Sequence, residues 1–300
     1  MHLALFCTII LFGKGVRVMA SLWIWLVLAY GLLKGGREGM KKAALKKNHS
    51  TEILFFYTLI GWVFTLPFCG EAFALAPHFI LFAFIKAAVV CAAWLCAFAA
   101  LKHISVSLYG IMDLSRMVFS TLLGVFVLGE SFTFAKAVGM LLVVAGLTLV
   151  NLKRGGGGEM TLTVFIAAML NCFFNAVSGT MDKVLMQYMT SAQLQFWFML
   201  FMTVIYGVIL LVRREEVAWR TLATNYWVPL MSISLIVGDR MLFEANAHPN
   251  SEVTLMTVVK QCSVLVTVLV GWICYREKHI VYKLLCTLLV LAGIFVALFF

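Results

Sequence analysis

The chain has 300 residues, 63% of them hydrophobic and 12% charged, and its 23 Lys and Arg exceed its 13 Asp and Glu to give a net charge of +10. With a mean hydropathy of +1.03, this composition excludes a soluble domain of such length. Beta-barrel spans fit poorly, because they read as alternating segments of about ten residues, whereas the apolar runs here are continuous and longer.

A hydrocarbon core of about 30 Å needs roughly 20 apolar residues per helix. Residues 1–18 (MHLALFCTIILF, then Gly13, Lys14 and Arg17) make only half a span, and their charges follow the apolar run where a signal peptide would place them first. They are expected to be an extension, native or not, with Met19 as an alternative start. Ten helices are then predicted, near 20–45, 52–70, 78–101, 105–129, 132–152, 161–187, 193–212, 226–247, 251–274 and 281–300. Short breaks with turn or cap residues separate them: Asn48-His49-Ser50, Gly70-Glu71, Lys102-His103, Gly129-Glu130-Ser131, Pro249-Asn250-Ser251 and Arg276-Glu277-Lys278. Only the Gly-rich segment 153–160 has linker composition, and it separates five spans (19–152) from five (161–300).

The two halves carry a weak internal repeat. A shift of 147 places TLLGVFVLGE (121–130) on VLVGWICYRE (268–277), Lys136 on Lys283 and Ala145-Gly146 on Ala292-Gly293. A shift of 141 places span one on span six, Met40 on Met181 and Lys42 on Lys183.

Polar residues follow the same register. Tyr109, Asp113, Arg116 and Ser120 form one stripe of span four. Their counterparts on span nine include Lys260, Ser263 and Thr267, and Tyr30, Lys34, Arg37 and Lys41 of span one fall on Asn171, Asn175, Ser178 and Asp182 of span six. Ionisable groups in a bilayer cost several kcal/mol unless they face protein or water, so four matched seams point to a shared polar cavity in which Asp113 and Arg116 can pair. Blander readings stand beside this one. Lys34, Arg37, Lys41 and Lys42 could snorkel to lipid phosphates, Asp113 and Arg116 could lock two helices, and Asn171 and Asn175 could be interhelical glue. Lys260, in mid-helix, is poorly placed to snorkel. On span eight Arg240 and Glu244 are spaced to pair, with Asp239 beside them, as a lining or a gate, and Lys86 of span three either snorkels or faces the cavity.

The ten-helix plan, the ending Gly129-Glu130 with its echo Arg276-Glu277, and the AG of LVVAGLTLV and LVLAGIFVA resemble the drug/metabolite transporter superfamily, in particular its EamA-like members, over roughly 20–300. The resemblance implies two inverted five-helix repeats, a cavity lined by spans one, three, four, six, eight and nine, and alternating access for small organic solutes such as amino acids. The basic end of span one, KGGREGMKKAALKK, departs from the common pattern.

Other chemistry is absent from the sequence. The eight cysteines show no ligand spacing, and no HExxH, GxSxG or Walker A pattern occurs, so neither enzyme activity, cofactor nor metal is expected. Without an ATP site, uphill transport would use an ion gradient or exchange, with Asp113, Asp182, Asp239 and Glu244 as available acids. The basic residues cluster at helix ends, where anionic lipid and not nucleic acid is the expected partner. By the positive-inside rule the odd-numbered loops would be cytoplasmic. The family resemblance implies the reverse, with both termini inside, and that orientation is kept as the expectation.

The expected function is a multi-pass secondary transporter of the inner cell membrane, with substrate contacts at Lys34, Arg37, Tyr109, Asp113, Arg116, Asn171, Asn175, Lys260 and Ser263. Coupling or gating falls to Asp182, Asp239, Arg240 and Glu244. The cationic lean hints at a solute bearing a carboxylate or phosphate. A homodimer is left open as a further partner, and the alternatives are an intramembrane enzyme or scaffold, whose seams would be structural glue, and a channel.

Overall fold

The computed structural model describes residues 22–128, 161–214, 218–248, 259–261, 263–277 and 279–299, with isolated positions between 134 and 149 and Met256. Its helices are α1 (Leu22–Ala44), α2 (Ser50–Thr65), α3 (Cys69–Phe73), α4 (Pro77–His103), α5 (Val106–Asp113), α6 (Arg116–Leu128), α7 (Leu162–Leu185), α8 (Ser191–Arg213), α9 (Trp219–Ala223), α10 (Trp227–Ala247), α11 (Ser263–Tyr275) and α12 (Ile280–Phe299). The 1–18 extension, most of the fifth predicted span, the 153–160 linker, Gly129-Glu130 and the Pro249-Asn250-Ser251 break lie outside the described residues.

Local chemistry sets the helix starts. Pro77 occupies the first turn of α4, where its missing N–H costs nothing. Ser105 and Thr161 accept from the backbone N–H groups of Leu108 and Val164 to cap α5 and α7, and Thr190 with Gln193 forms a full capping box on α8. Five segments are long and apolar enough to cross a membrane: Ser50–Phe73, Pro77–His103, Val106–Leu123, Leu162–Leu185 and Ser191–Arg213. Their outward side chains include Leu81, Phe82, Leu170 and Leu211, all exposed, as lipid contact requires. The protein is a polytopic helical membrane protein.

One expectation needs correcting. The fourth predicted span is not continuous, because Leu114 and Ser115 form a turn between α5 and α6. Around the break the backbone tightens to i→i−3 bonds, from Ser115 N–H to Met112 O at 3.0 Å and from Met117 N–H to Leu114 O at 3.0 Å. The Met112 carbonyl also receives the Cys172 thiol of α7 at 3.4 Å. Asp113 and Arg116 therefore flank a helix interruption, where backbone polar groups are held by protein, a common setting for binding sites at mid-depth.

Packing follows the repeat. In the first half, α1 lies against α10 and α11; in the second, its counterpart α7 lies against α4 and α6, while α2 and α8 pair with each other. The α1–α11 contact is close. Gly31, Gly35 and Gly39 recur every fourth residue along the α1 face turned to α11, and a Cβ on Gly35 would stand 2.5 Å from the Ser263 carbonyl oxygen and 2.6 Å from Val266 Cβ. Small residues at this spacing let backbones meet, which matters most in lipid, where apolar burial drives little association.

The bundle end that carries the α1–α2, α4–α5 and α11–α12 connections is tied both within the first half and across the halves. Lys42 donates to the carbonyls of Leu101 and Ile104, both at 2.5 Å, at the end of α4, where a cation meets the negative helix terminus. Lys42 is thus a helix cap and not a lipid snorkel. Asn225 bonds Asn48 at 3.0 Å and the Ala44 carbonyl at 3.2 Å, and Tyr275 O–H donates to the Gly39 carbonyl at 2.6 Å. Glu277 accepts from the N–H groups of Val106 (2.9 Å) and Ser107 (3.4 Å) at the start of α5 and pairs with Lys283 at 2.7 Å.

Burial opposes the ionised form of Glu277, but its hydrogen bonds from Lys283 and Ser107 and the Lys283 charge outweigh burial and hold the pKa below the ordinary 4.5. A depressed folded-state pKa contributes stability that is present above 4.5 and lost as pH falls through the lower folded value. Glu277→Gln is expected to cost about 1–2 kcal/mol near neutral pH and to flatten the fall in thermal midpoint below pH 4.5, measured by unfolding scans across pH.

Candidate functional site

Between the halves lies a cavity of about 90 Å3, several times the ~10–15 Å3 that one water requires on the same measure. Its polar lining comes from α1 (Tyr30, Lys34, Arg37, Glu38, Lys41), α4 (Lys86), α5–α6 (Tyr109, Arg116), α7 (Asn171, Asn175, Ser178, Asp182), α10 (Asp239) and Lys260, with Tyr57 of α2. Aromatic walls are supplied by Trp94, Phe198 and Phe243. Helical spacing explains the convergence: Tyr30, Lys34, Arg37 and Lys41 recur on one face of α1, and Asn171, Asn175, Ser178 and Asp182 on one face of α7.

Three charge groups are built in. At the helix break Asp113 accepts from Lys34 of α1 at 2.6 Å and from Arg116 of α6 at 2.7 Å, so one carboxylate serves two cations from two helices. On the α4–α7 side Lys86 is 2.8 Å from Asp182 and donates to Ser178 at 2.7 Å, while its ammonium lies 4.6 Å from the Phe198 ring centre. The Lys86–Asp182 pair is at contact distance but off the hydrogen-bonding direction, so Asp182 Oδ1 carries no hydrogen bond. Along α1, Lys41 pairs with Glu38 at 2.9 Å. Lys41 and Lys86 thus both point inward, which removes the snorkel reading for each.

Neutral groups tie these networks together. Asn171 donates to Tyr109 O–H at 3.1 Å, and Asn175 donates to the Asn171 side-chain oxygen at 2.7 Å. Several buried polar atoms of the lining have no hydrogen bond: Arg37 Nε, Arg116 Nε, Glu38 Oε2 and Tyr57 O–H. Among the described residues Arg37 makes one hydrogen-bonding contact, 3.5 Å to the Ser234 carbonyl. Asp239 and Lys260 face the cavity with no ion pair among the described residues. Six cations and three carboxylates line the cavity, and with Asp113 buried behind Lys34 and Arg116 six cations stand against four carboxylates, a surplus of two positive charges.

The sequence-derived residues divide as follows. Lys34, Arg37, Tyr109, Arg116, Asn171, Asn175, Asp182, Asp239 and Lys260 line the cavity, with Asp113 buried directly behind Lys34 and Arg116. Ser263 is buried where α11 meets Gly35 and is not part of the lining. Arg240 and Glu244 stand apart from it too. They are joined through Ser191, whose hydroxyl accepts from Arg240 at 2.9 Å and donates to Glu244, and Arg240 stacks over Phe68 at 4.4 Å. Lining residues outside the sequence-derived set include Glu38, Tyr57, Trp94, Phe198 and Phe243. Glu38 shares the α1 seam and was legible there; the aromatics are indistinguishable by sequence from core residues. Among the described residues no group of three or more His, Cys, Asp and Glu is placed to hold a metal.

These features define a class, a helical membrane protein of two repeats enclosing a charged cavity. A family model described as the EamA-like transporter family matches the chain twice, over residues 21–152 and 162–299, and the chain belongs to that family. No curated protein matches it. One solved structure, described as "Crystal structure of protein", is similar in fold with a TM-score of 0.66 at 13% identity, covering 92% of this chain and 96% of that one.

Proposed function

We propose that the protein is a secondary transporter of the inner cell membrane, built as two inverted five-helix repeats, that moves a small organic anion by alternating access. The observation that carries this reading is the cavity between the halves, whose cations exceed the carboxylates by two even with Asp113 behind the lining counted. A purely structural seam would be expected to neutralise its own charges, since each unpaired buried ion costs several kcal/mol. The orphaned donors of Arg37, Arg116 and Tyr57 add hydrogen-bonding capacity that a ligand would use. The glycine contact between α1 and α11 and the ties of Asn225, Tyr275 and Glu277 hold the two halves together at one end of the bundle, about which an alternating-access cycle could pivot.

The test is flux. The purified full chain, reconstituted in liposomes and offered radiolabelled organic acids, amino acids and sugars, is expected to accumulate or exchange an acid. Lys260→Ala is expected to slow that flux by about tenfold or more, equal to ~1.4 kcal/mol or more on the limiting barrier, with an unchanged gel-filtration profile. Absence of flux for the whole panel would favour a scaffold. Ohmic conductance without counterflow would favour a channel.

A further inference from the structure

Resting on the transporter reading, we infer that the transported solute is a dianion, whose two negative charges are received by Lys34, Arg116 and Lys260. The surplus of positive charge is not spread evenly over the lining. Lys41 has Glu38 at 2.9 Å and Lys86 has Asp182 at 2.8 Å, so each is matched. Arg37 and Asp239 lie within electrostatic range of one another and offset each other without touching. What is left is Lys34 and Arg116 sharing Asp113, and Lys260, which has no ion pair among the described residues. The Lys260 carbonyl oxygen stands 3.6 Å from the Cβ position of Gly31, one turn before Lys34 on α1, and Arg116, Asp182, Lys34 and Lys86 are the charges that act on the Lys260 ammonium.

Three cations against one carboxylate leave two positive charges in the cavity. A neutral or zwitterionic solute leaves both uncompensated, and a monoanion leaves one. A dianion cancels them, and it does so in a buried setting, where each uncompensated charge weighs more than it would in water. Arg116 contributes a buried Nε–H without an acceptor in addition to the nitrogen it gives to Asp113, and a guanidinium presents such donors in a fixed plane suited to carboxylate and phosphate. The ammonium of Lys260 has three rotatable donors. The small cavity limits the solute to a compact skeleton.

Two compact chemistries carry two negative charges near neutral pH, the dicarboxylate and the phosphate monoester, and the experiment separates them. Thermal unfolding of the purified full chain in nanodiscs is followed against succinate, glycerol 3-phosphate and, as a size-matched monoanion, butyrate, at equal ionic strength. Ligand that binds the folded state raises the midpoint in proportion to occupancy. The expected result is that at least one of the two dianions binds ~10-fold or more tightly than butyrate, and that Lys260→Gln reduces this preference to within about threefold. A response to succinate alone assigns the dicarboxylate, and one to glycerol 3-phosphate alone assigns the phosphate monoester. Butyrate binding as tightly as both dianions, no shift with either dianion, or a preference undiminished in Lys260→Gln overturns the inference. Flux of some other acid in the liposome assay would still leave the transporter reading standing.

Discussion

Replacing Asp113 by alanine is expected to destabilise the protein by about 3–5 kcal/mol, the loss found when one partner of a buried charge group is removed. Asp113 is 5% exposed and stands between Lys34 at 2.6 Å and Arg116 at 2.7 Å. Without it Lys34 and Arg116 lose the carboxylate they share, in a cavity that Lys260 also lines. The loss comes from stranding the cations more than from the worth of the pairs, and that distinction can be measured. Lys34→Met in the Asp113→Ala background removes one stranded charge, keeps most of the side-chain volume, and is expected to restore about half of the lost stability. Denaturant unfolding of the single and double variants in mild detergent checks both statements. A single variant within about 1 kcal/mol of the parent, or a double variant less stable than the single, would sink the account of Asp113 as the shared counter-ion.

The same group illustrates what the sequence made legible. The i, i+3 spacing of Asp113 and Arg116 and the repeat-related stripe on α1 place Lys34, Arg37 and both partners on inward faces, because helical periodicity and the cost of charge in lipid act on each helix separately. The helix break between Asp113 and Arg116 was not legible, since Leu114 and Ser115 are neither proline nor glycine and the interruption is stabilised by Cys172 of another helix. Lys86 was ambiguous for a similar reason. Whether a lysine two turns inside a helix snorkels or faces inward depends on what lies opposite, and its partners Ser178 and Asp182 are in the other repeat. The link from Arg240 to Glu244 through Ser191 likewise needed the position of a third helix.

The α1 glycine stripe is different, because its signal was present in the sequence and only its consequence required the fold. Gly35→Val is expected to abolish recovery of folded protein, the second large effect. A side chain at Gly35 meets the Ser263 carbonyl oxygen at 2.5 Å and Val266 Cβ at 2.6 Å. The Ser263 oxygen is held in the first turn of α11, where the Thr267 hydroxyl donates to it at 3.0 Å, and cannot swing aside, so α1 and α11 must separate. Separation would also pull Thr267 from the Gly35 carbonyl, now at 3.5 Å, and Tyr275 from the Gly39 carbonyl. Gly36, one residue further along the same helix, has nothing within 4 Å of its Cβ position. There alanine should be accepted and, by relieving the helix of a glycine, add roughly 0.5–1 kcal/mol of stability. The pair of variants separates steric contact from helix propensity, because both remove a glycine from the same turn and only one meets a neighbouring backbone. Monodisperse yield on gel filtration, followed by the thermal midpoint of whatever is recovered, reads the difference. Equal yields from Gly35→Val and Gly36→Ala would show that the two helices do not meet at Gly35.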